Sequence, residues 1–231
     1  MGWQRWLESA WNIAFPNLCL HCRKKSAAKD HHFCINCLAN YVETDYHLIR
    51  DNPVAMHFYG RVPIERAMSL LDYKKGELSQ TLLQKFKYEG RKDIGEFLGK
   101  RLAHNMIEGE MLKEITGIIP VPLHRKKIRL RGFNQSEVIA ESISSLTQIP
   151  TYSNWIQRHG NTSTQTRKSR QDRMKNVESA FSFFPRPGEI PEGHYLIVDD
   201  VITTGATLEA VSQLLLQNPN TKVSLASIAL G

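Results

Sequence analysis

No stretch of about 20 apolar residues occurs in the 231-residue chain, which excludes a membrane-spanning helix. No internal repeat and no low-complexity tract is present, which excludes solenoid and array architectures. No glycine-rich loop ends in Gly-Lys-Ser or Gly-Lys-Thr, so a P-loop nucleotide site is excluded. No cysteine lies outside one short window holding Cys19, Cys22, Cys34 and Cys37, which confines any thiol chemistry or thiolate metal site to one place. The first residues lack an unbroken apolar segment, because Arg5 and Glu8 interrupt it. They do not read as a signal peptide, and the chain reads as cytoplasmic. Instead Trp3, Trp6, Leu7, Ala10, Ile13 and Ala14 recur at helical spacing. That amphipathic face would pack on its own domain, or dock on a membrane or partner.

What is present is ordinary in amount and unusual in placement. Hydrophobic content of 41% and charged content of 23% suit a globular chain with a good core. The net charge of +7 points to anions: phosphates, nucleic acid or anionic lipid. A solvated basic surface is the plain alternative. Residues 1–50 are rich in His, Cys and Trp, and from about 51 the composition turns to ordinary α/β. Strand patterns over 67–73, 115–124, 195–201 and 222–230 alternate with helical patterns over 76–90, 92–110, 135–146 and 208–216. This alternation predicts an α/β fold with a parallel or mostly parallel sheet flanked by helices. The expected division is 1–50 for an N-terminal helix and zinc-binding ribbon, and 51–231 for the α/β domain.

The cysteines form two Cys-x-x-Cys knuckles separated by eleven residues. Two such knuckles offer four thiolates to one tetrahedral Zn²⁺. A cytosolic setting disfavours disulfides. A redox Cys-x-x-Cys comes singly, beside a βαβ pattern. An iron–sulfur cluster or redox pair and incidental cysteines are the remaining alternatives. His21, His31 or His32 could replace one ligand, although four thiolates need none of them. A four-thiolate site is closed, hence structural.

The segment "YLIVDDVITTGATLEAV" (195–211) runs an apolar strand into Asp199 and Asp200, then into a turn with Thr203, Thr204, Gly205, Ala206 and Thr207. The carboxyl edge of a sheet is where open α/β folds bind ligands. The turn offers hydroxyls and free N–H groups at a helix N-terminus, a phosphate cradle. The two acids would repel a phosphate but suit hydroxyl groups or Mg²⁺. Together they suit a ribose 5-phosphate. A receiver or haloacid-type acidic site would place its aspartates on an early strand, whereas these come next to last.

"LIVDDVITTGAT" resembles the phosphoribosyl-pyrophosphate (PRPP) motif of type I phosphoribosyltransferases. With the four-cysteine knuckle, "FKYEG" (86–90), "VPLHRKKIRLRGFNQ" (121–135) and "QTRKSRQDRMKN" (165–176), the chain resembles the ComF/GntX family, competence-associated proteins linked to natural DNA uptake and use of DNA. The likeness covers nearly the whole chain, with little of it between about 38 and 66. It implies a type I phosphoribosyltransferase-like sheet with a small N-terminal zinc ribbon. It implies that Asp199 and Asp200 bind the ribose hydroxyls and that residues 203–207 hold the 5-phosphate. Val121, Pro122, Leu123, His124 and Arg125 stand where the family places its pyrophosphate loop. Residues 160–175 stand where type I enzymes carry a mobile loop, with Gln165, Arg167, Arg170 and Arg173 as candidates for touching pyrophosphate, the arginines as catalytic groups.

The basic stretch 124–135 carries Arg125, Lys126, Lys127, Arg129 and Arg131, followed by Phe133. It reads as a pyrophosphate site, as a track for single-stranded DNA with Phe133 as a stacking platform, or as a solvated loop. Lys85 and Lys87 could extend the same surface. The implied chemistry is displacement of pyrophosphate from C1 of PRPP, with Mg²⁺ bound alongside. No residue identifies the acceptor, and no amidotransferase half with an N-terminal catalytic cysteine is present. The alternative is a non-catalytic adaptor that senses PRPP or a nucleotide and binds single-stranded DNA and competence helicase or processing partners.

Overall fold

The computed structural model describes residues 18–24, 32–159, 181–184 and 190–231. The expected helix over 3–14, His31, and the loop candidates Gln165, Arg167, Arg170 and Arg173 lie outside the described residues.

Strands β1 (Ala67–Asp72), β2 (Gly117–Pro120), β5 (Gly193–Ile202) and β6 (Thr221–Leu230) form one sheet in the order β1-β6-β5-β2. Every neighbouring pair in it is parallel. All four strands therefore end at one edge. A short antiparallel pair, β3 (Ile156–Arg158) with β4 (Phe181–Phe183), stands apart.

Helices cover both faces, and this explains the apolar runs read in the sequence. Along β5, Leu196 and Val198 point into one core, Tyr195 and Ile197 into the other. A strand buried on both faces has no polar alternation. The first core is closed by α3 (Leu78–Tyr88), α4 (Lys92–Glu108) and α6 (Gln135–Thr147). Gly99 of α4 lets α6 approach closely, since a Cβ there would stand 2.7 Å from the Ser142 Cβ. The second core is closed by α2 (Pro53–Phe58), α7 (Ala206–Leu215) and the β3–β4 pair.

Helix α2 falls where the sequence carries little signal. It is set by the buried Asn52, whose Oδ1 accepts from the amides of Val54 and Ala55 at 2.9 and 3.0 Å. Its Nδ2 donates to the carbonyls of Tyr46, Ile49 and Ala67. One side chain thus caps the helix and ties it to β1. After a non-helical turn at 121–124, the basic stretch forms a short helix, α5 (Arg125–Arg131), with none of its residues buried. The remaining described helix, α1 (Ile35–Leu38), belongs to the second cysteine knuckle. No described helix is long and apolar enough to cross a membrane.

Candidate functional site

Asp199 and Asp200 end the apolar part of β5 at the common carboxyl edge. The amide of Val121 donates to the Val198 carbonyl at 2.9 Å, so the 121–125 turn leaves the sheet beside Asp199. Val121 is buried, Pro122, Leu123 and His124 are half-buried, and Arg125 is exposed. The His124 Nδ1 accepts from the Lys126 amide at 3.2 Å and so caps α5. On the other side the chain turns at Thr203 and Thr204, both exposed, into Gly205, at φ 71°. Gly205 is the N-cap of α7 and supplies no side chain to its amides. The helix N-terminus keeps donors and a partial positive charge for a ligand. A Cβ on Gly205 would lie 2.9 Å from the His57 ring and 3.0 Å from Phe58.

The half-buried acid pair is held from several elements. Asp199 Oδ1 accepts from Ser136 Oγ at 3.0 Å and from the Asp200 amide at 2.8 Å. Burial and the neighbouring charge of Asp200 nevertheless push the Asp199 carboxyl up to about 7. Asp200 meets the Lys87 ammonium at 3.0 Å and the Arg131 guanidinium at 4.0 Å. Arg131 also donates to Gln135 Oε1 at 2.9 Å and lies over the Tyr88 ring. Burial lowers Arg158, and the charge of Asp199 works in the opposite direction. A pair of carboxylates in a frame of cations can accept hydroxyls or a cation while tolerating nearby phosphate.

The sequence reading grouped Lys85, Lys87, Lys126, Lys127, Arg129, Arg131 and Phe133 as one anion or DNA surface. The structure separates them. Lys87 and Arg131 stand at the acid pair. Lys85 donates to the His21 carbonyl, next to the cysteines. Lys126, Lys127 and Arg129 remain exposed on α5. Phe133 is not an open stacking platform: it is buried, its ring 5.6 Å from that of Phe86, with the Lys92 ammonium 5.2 Å above it. Ser136 and Arg158 escaped the sequence reading, because only folding brings α6 and β3 to the end of β5.

The four cysteines converge as their spacing required. Their sulfurs all lie within 4.8 Å of one another, and none is in a disulfide. A tetrahedron of metal–sulfur bonds near 2.3 Å has edges of about 3.8 Å, so the set is sized for a metal ion. Cys22 and Cys34 are 3.6 Å apart, and His21 Nδ1 lies 3.2 Å from Cys37 Sγ. Burial opposes the Cys19 thiolate, but the amides of Cys34, Cys22 and His21 outweigh it and bring it down to about 6. Burial pushes Cys37 up. Leu20 N–H donates to the His32 carbonyl at 2.9 Å and joins the two knuckles.

No family model matches the chain. Competence protein F of Haemophilus influenzae is 36% identical over 137 residues, 58% of this chain and 60% of that protein. The DNA utilization protein YhgH of Escherichia coli O157:H7 is 32% identical over 222 residues, 89% of this chain and 93% of that protein. Among solved structures, the glutamine PRPP amidotransferase of B. subtilis overlaps 63% of this chain and 30% of its own, at 19% identity and a TM-score of 0.41. The adenine phosphoribosyltransferase of Leishmania tarentolae overlaps 63% of this chain and 74% of its own, at 10% identity and 0.39. Those scores are low, and the architecture rests on the strand order and helix packing given above. The likeness to YhgH runs through nearly the full length of both chains, and the chain belongs to the ComF family.

Proposed function

We propose that the chain binds PRPP, or a closely related phosphoribosyl ligand, at the carboxyl edge of β5 and serves the use of DNA, as its relatives' names state of them. One observation carries the reading: two adjacent carboxylates end the apolar run of a strand whose next turn enters a helix with Gly205, a residue without a side chain, as its N-cap. Asp199 and Asp200 accept hydrogen bonds from the ribose hydroxyls. The turn of Thr203, Thr204, Gly205, Ala206 and Thr207 donates to the 5-phosphate. Val121 to Arg125, with Lys87 and Arg131 close to the acids, face the pyrophosphate end. Gln165, Arg167, Arg170 and Arg173 are the groups proposed to cover it.

The reaction of this reading is transfer of the phosphoribosyl group. A lone pair on the acceptor forms the new bond to C1, the C1–oxygen bond breaks, and its electron pair leaves with pyrophosphate. The acceptor gives up its proton to solvent or to a base it brings close. The oxygen-rich acid pair suits Mg²⁺, which when bound supplies charge neutralisation of the leaving group. Cys19, Cys22, Cys34 and Cys37 hold a structural Zn²⁺. The division into 1–50 and 51–231 and a cytoplasmic location are part of the proposal.

The test is calorimetric titration of PRPP with Mg²⁺ into the protein and into Asp199→Ala/Asp200→Ala. The wild type binds, and the double variant loses affinity by roughly a hundredfold or more while keeping its fold, as expected when charged acceptors are removed. Equal binding by both proteins would remove the site assignment.

A further inference from the structure

Beneath the phosphate turn lies a cation that the sequence reading did not single out. Arg61 follows α2, and its guanidinium reaches three partners at once. It pairs with the buried Glu209, with Nε at 3.0 Å. It donates to the Thr204 carbonyl at 3.0 Å and to the His57 carbonyl at 3.2 Å. It also lies over the Phe58 ring, 5.6 Å from its centre. Glu209 sits in the first turn of α7, its amide bonded to the Gly205 carbonyl at 2.9 Å. A buried carboxylate there opposes any anion brought to the N-terminus of the same helix.

We propose that Arg61 is the positioning residue of the turn, making it an anion site in two ways. It neutralises Glu209, which would otherwise repel a ligand phosphate. It also fixes the 204–205 peptide. In a trans peptide the carbonyl and the N–H point in opposite directions. With the Thr204 carbonyl held on Arg61, the Gly205 N–H points away from Arg61, to the side open to a ligand. Gly205 lies close against His57 and Phe58, where a Cβ would stand 2.9 and 3.0 Å from them. The inference rests on the phosphoribosyl reading of the turn and names what that reading lacks, the countercharge behind it.

The test compares wild type, Arg61→Gln and Arg61→Gln/Glu209→Gln, with PRPP, ribose 5-phosphate and pyrophosphate as probes. Arg61→Gln weakens PRPP and ribose 5-phosphate by at least about tenfold, and pyrophosphate much less. The double variant, with no buried charge to balance, regains the share of that loss that the unpaired Glu209 causes, keeps the share due to the released 204–205 peptide, and folds even where the single variant does not. Unchanged PRPP binding by a folded Arg61→Gln would overturn the inference and leave the site reading intact. A double variant as weak as the single one would overturn the neutralising role. Equal weakening of all three probes with a lowered melting temperature would mean a merely structural role and would overturn it as well. A wild type that binds neither phosphoribosyl probe removes the site reading and this inference with it.

Discussion

Asp199 shows how one residue can serve a ligand at the expense of stability. An aspartate in an unfolded chain loses its proton near pH 4, whereas Asp199 in the fold keeps it to about pH 7. Between those values the folded state binds more protons, so stability falls as pH rises from about 4 to about 7 and stays reduced above. Asp199→Asn removes the charge and keeps the shape. The variant is more stable than wild type at pH 8, on the order of 2 kcal/mol after allowance for solvent screening, and the gain disappears near pH 4. Urea unfolding across that range measures it, and a gain independent of pH would show that burial does not perturb this carboxyl. The acids themselves were legible, since two adjacent charges after an apolar strand have no packing explanation. Ser136 was not: its hydroxyl meets Asp199 across 63 residues of sequence, and no local pattern records such a distance.

At the scale of elements, the turn into α7 depends on one glycine. Gly205 holds φ 71°, and a methyl group there would strike the His57 ring at 2.9 Å. Gly205→Ala therefore meets both backbone strain and a clash, costing about 1–3 kcal/mol, and weakens PRPP binding more than it lowers stability at remote sites. Thermal melts and the same titration check this, and a variant with wild-type values for both would mean that the turn relaxes freely. The long helices α3, α4 and α6 and the doubly buried strands were readable from their periods. Helix α2 was not, because it has six residues and owes its place to Asn52. Helix α5 carries no helical signal in the sequence, because it buries no face and so has no apolar period to find. Strands β3 and β4 have three residues each, too few to alternate visibly.

At the scale of the molecule, the cysteine knuckles are built into the first core. Cys19, Leu20, Phe33 and Cys37 cluster with residues such as Leu78, Phe86 and Leu98 of the α/β layers. Arg23 pairs with Glu89, and Lys85 with the His21 carbonyl. Past the second knuckle, Thr44 N–H already bonds to the Leu70 carbonyl of β1 at 2.9 Å, and Glu43 forms an ion pair with Arg101. A metal in the knuckles would thus support the whole fold. Cys19→Ser, or a chelator, lowers the zinc content and shifts the main unfolding transition downward, by several degrees or more. Metal analysis with a calorimetric scan checks both. An unmoved main transition would mean that the knuckles fold apart, and unchanged zinc would refute the four-thiolate site.

The sequence by itself determined the parallel α/β architecture, the four-thiolate cluster and the acid–threonine turn. Each is a local pattern: burial on both faces removes polar alternation, two knuckles fix four thiols within reach, and a strand end must be followed at once by what it presents. Only the tertiary structure decided which cations serve those patterns. It put Lys87 and Arg131 on Asp200, hid Phe133 in the core and set Arg61 behind the turn. A charge finds its partner through the packing of whole helices and strands, and that packing brings together residues the chain keeps far apart.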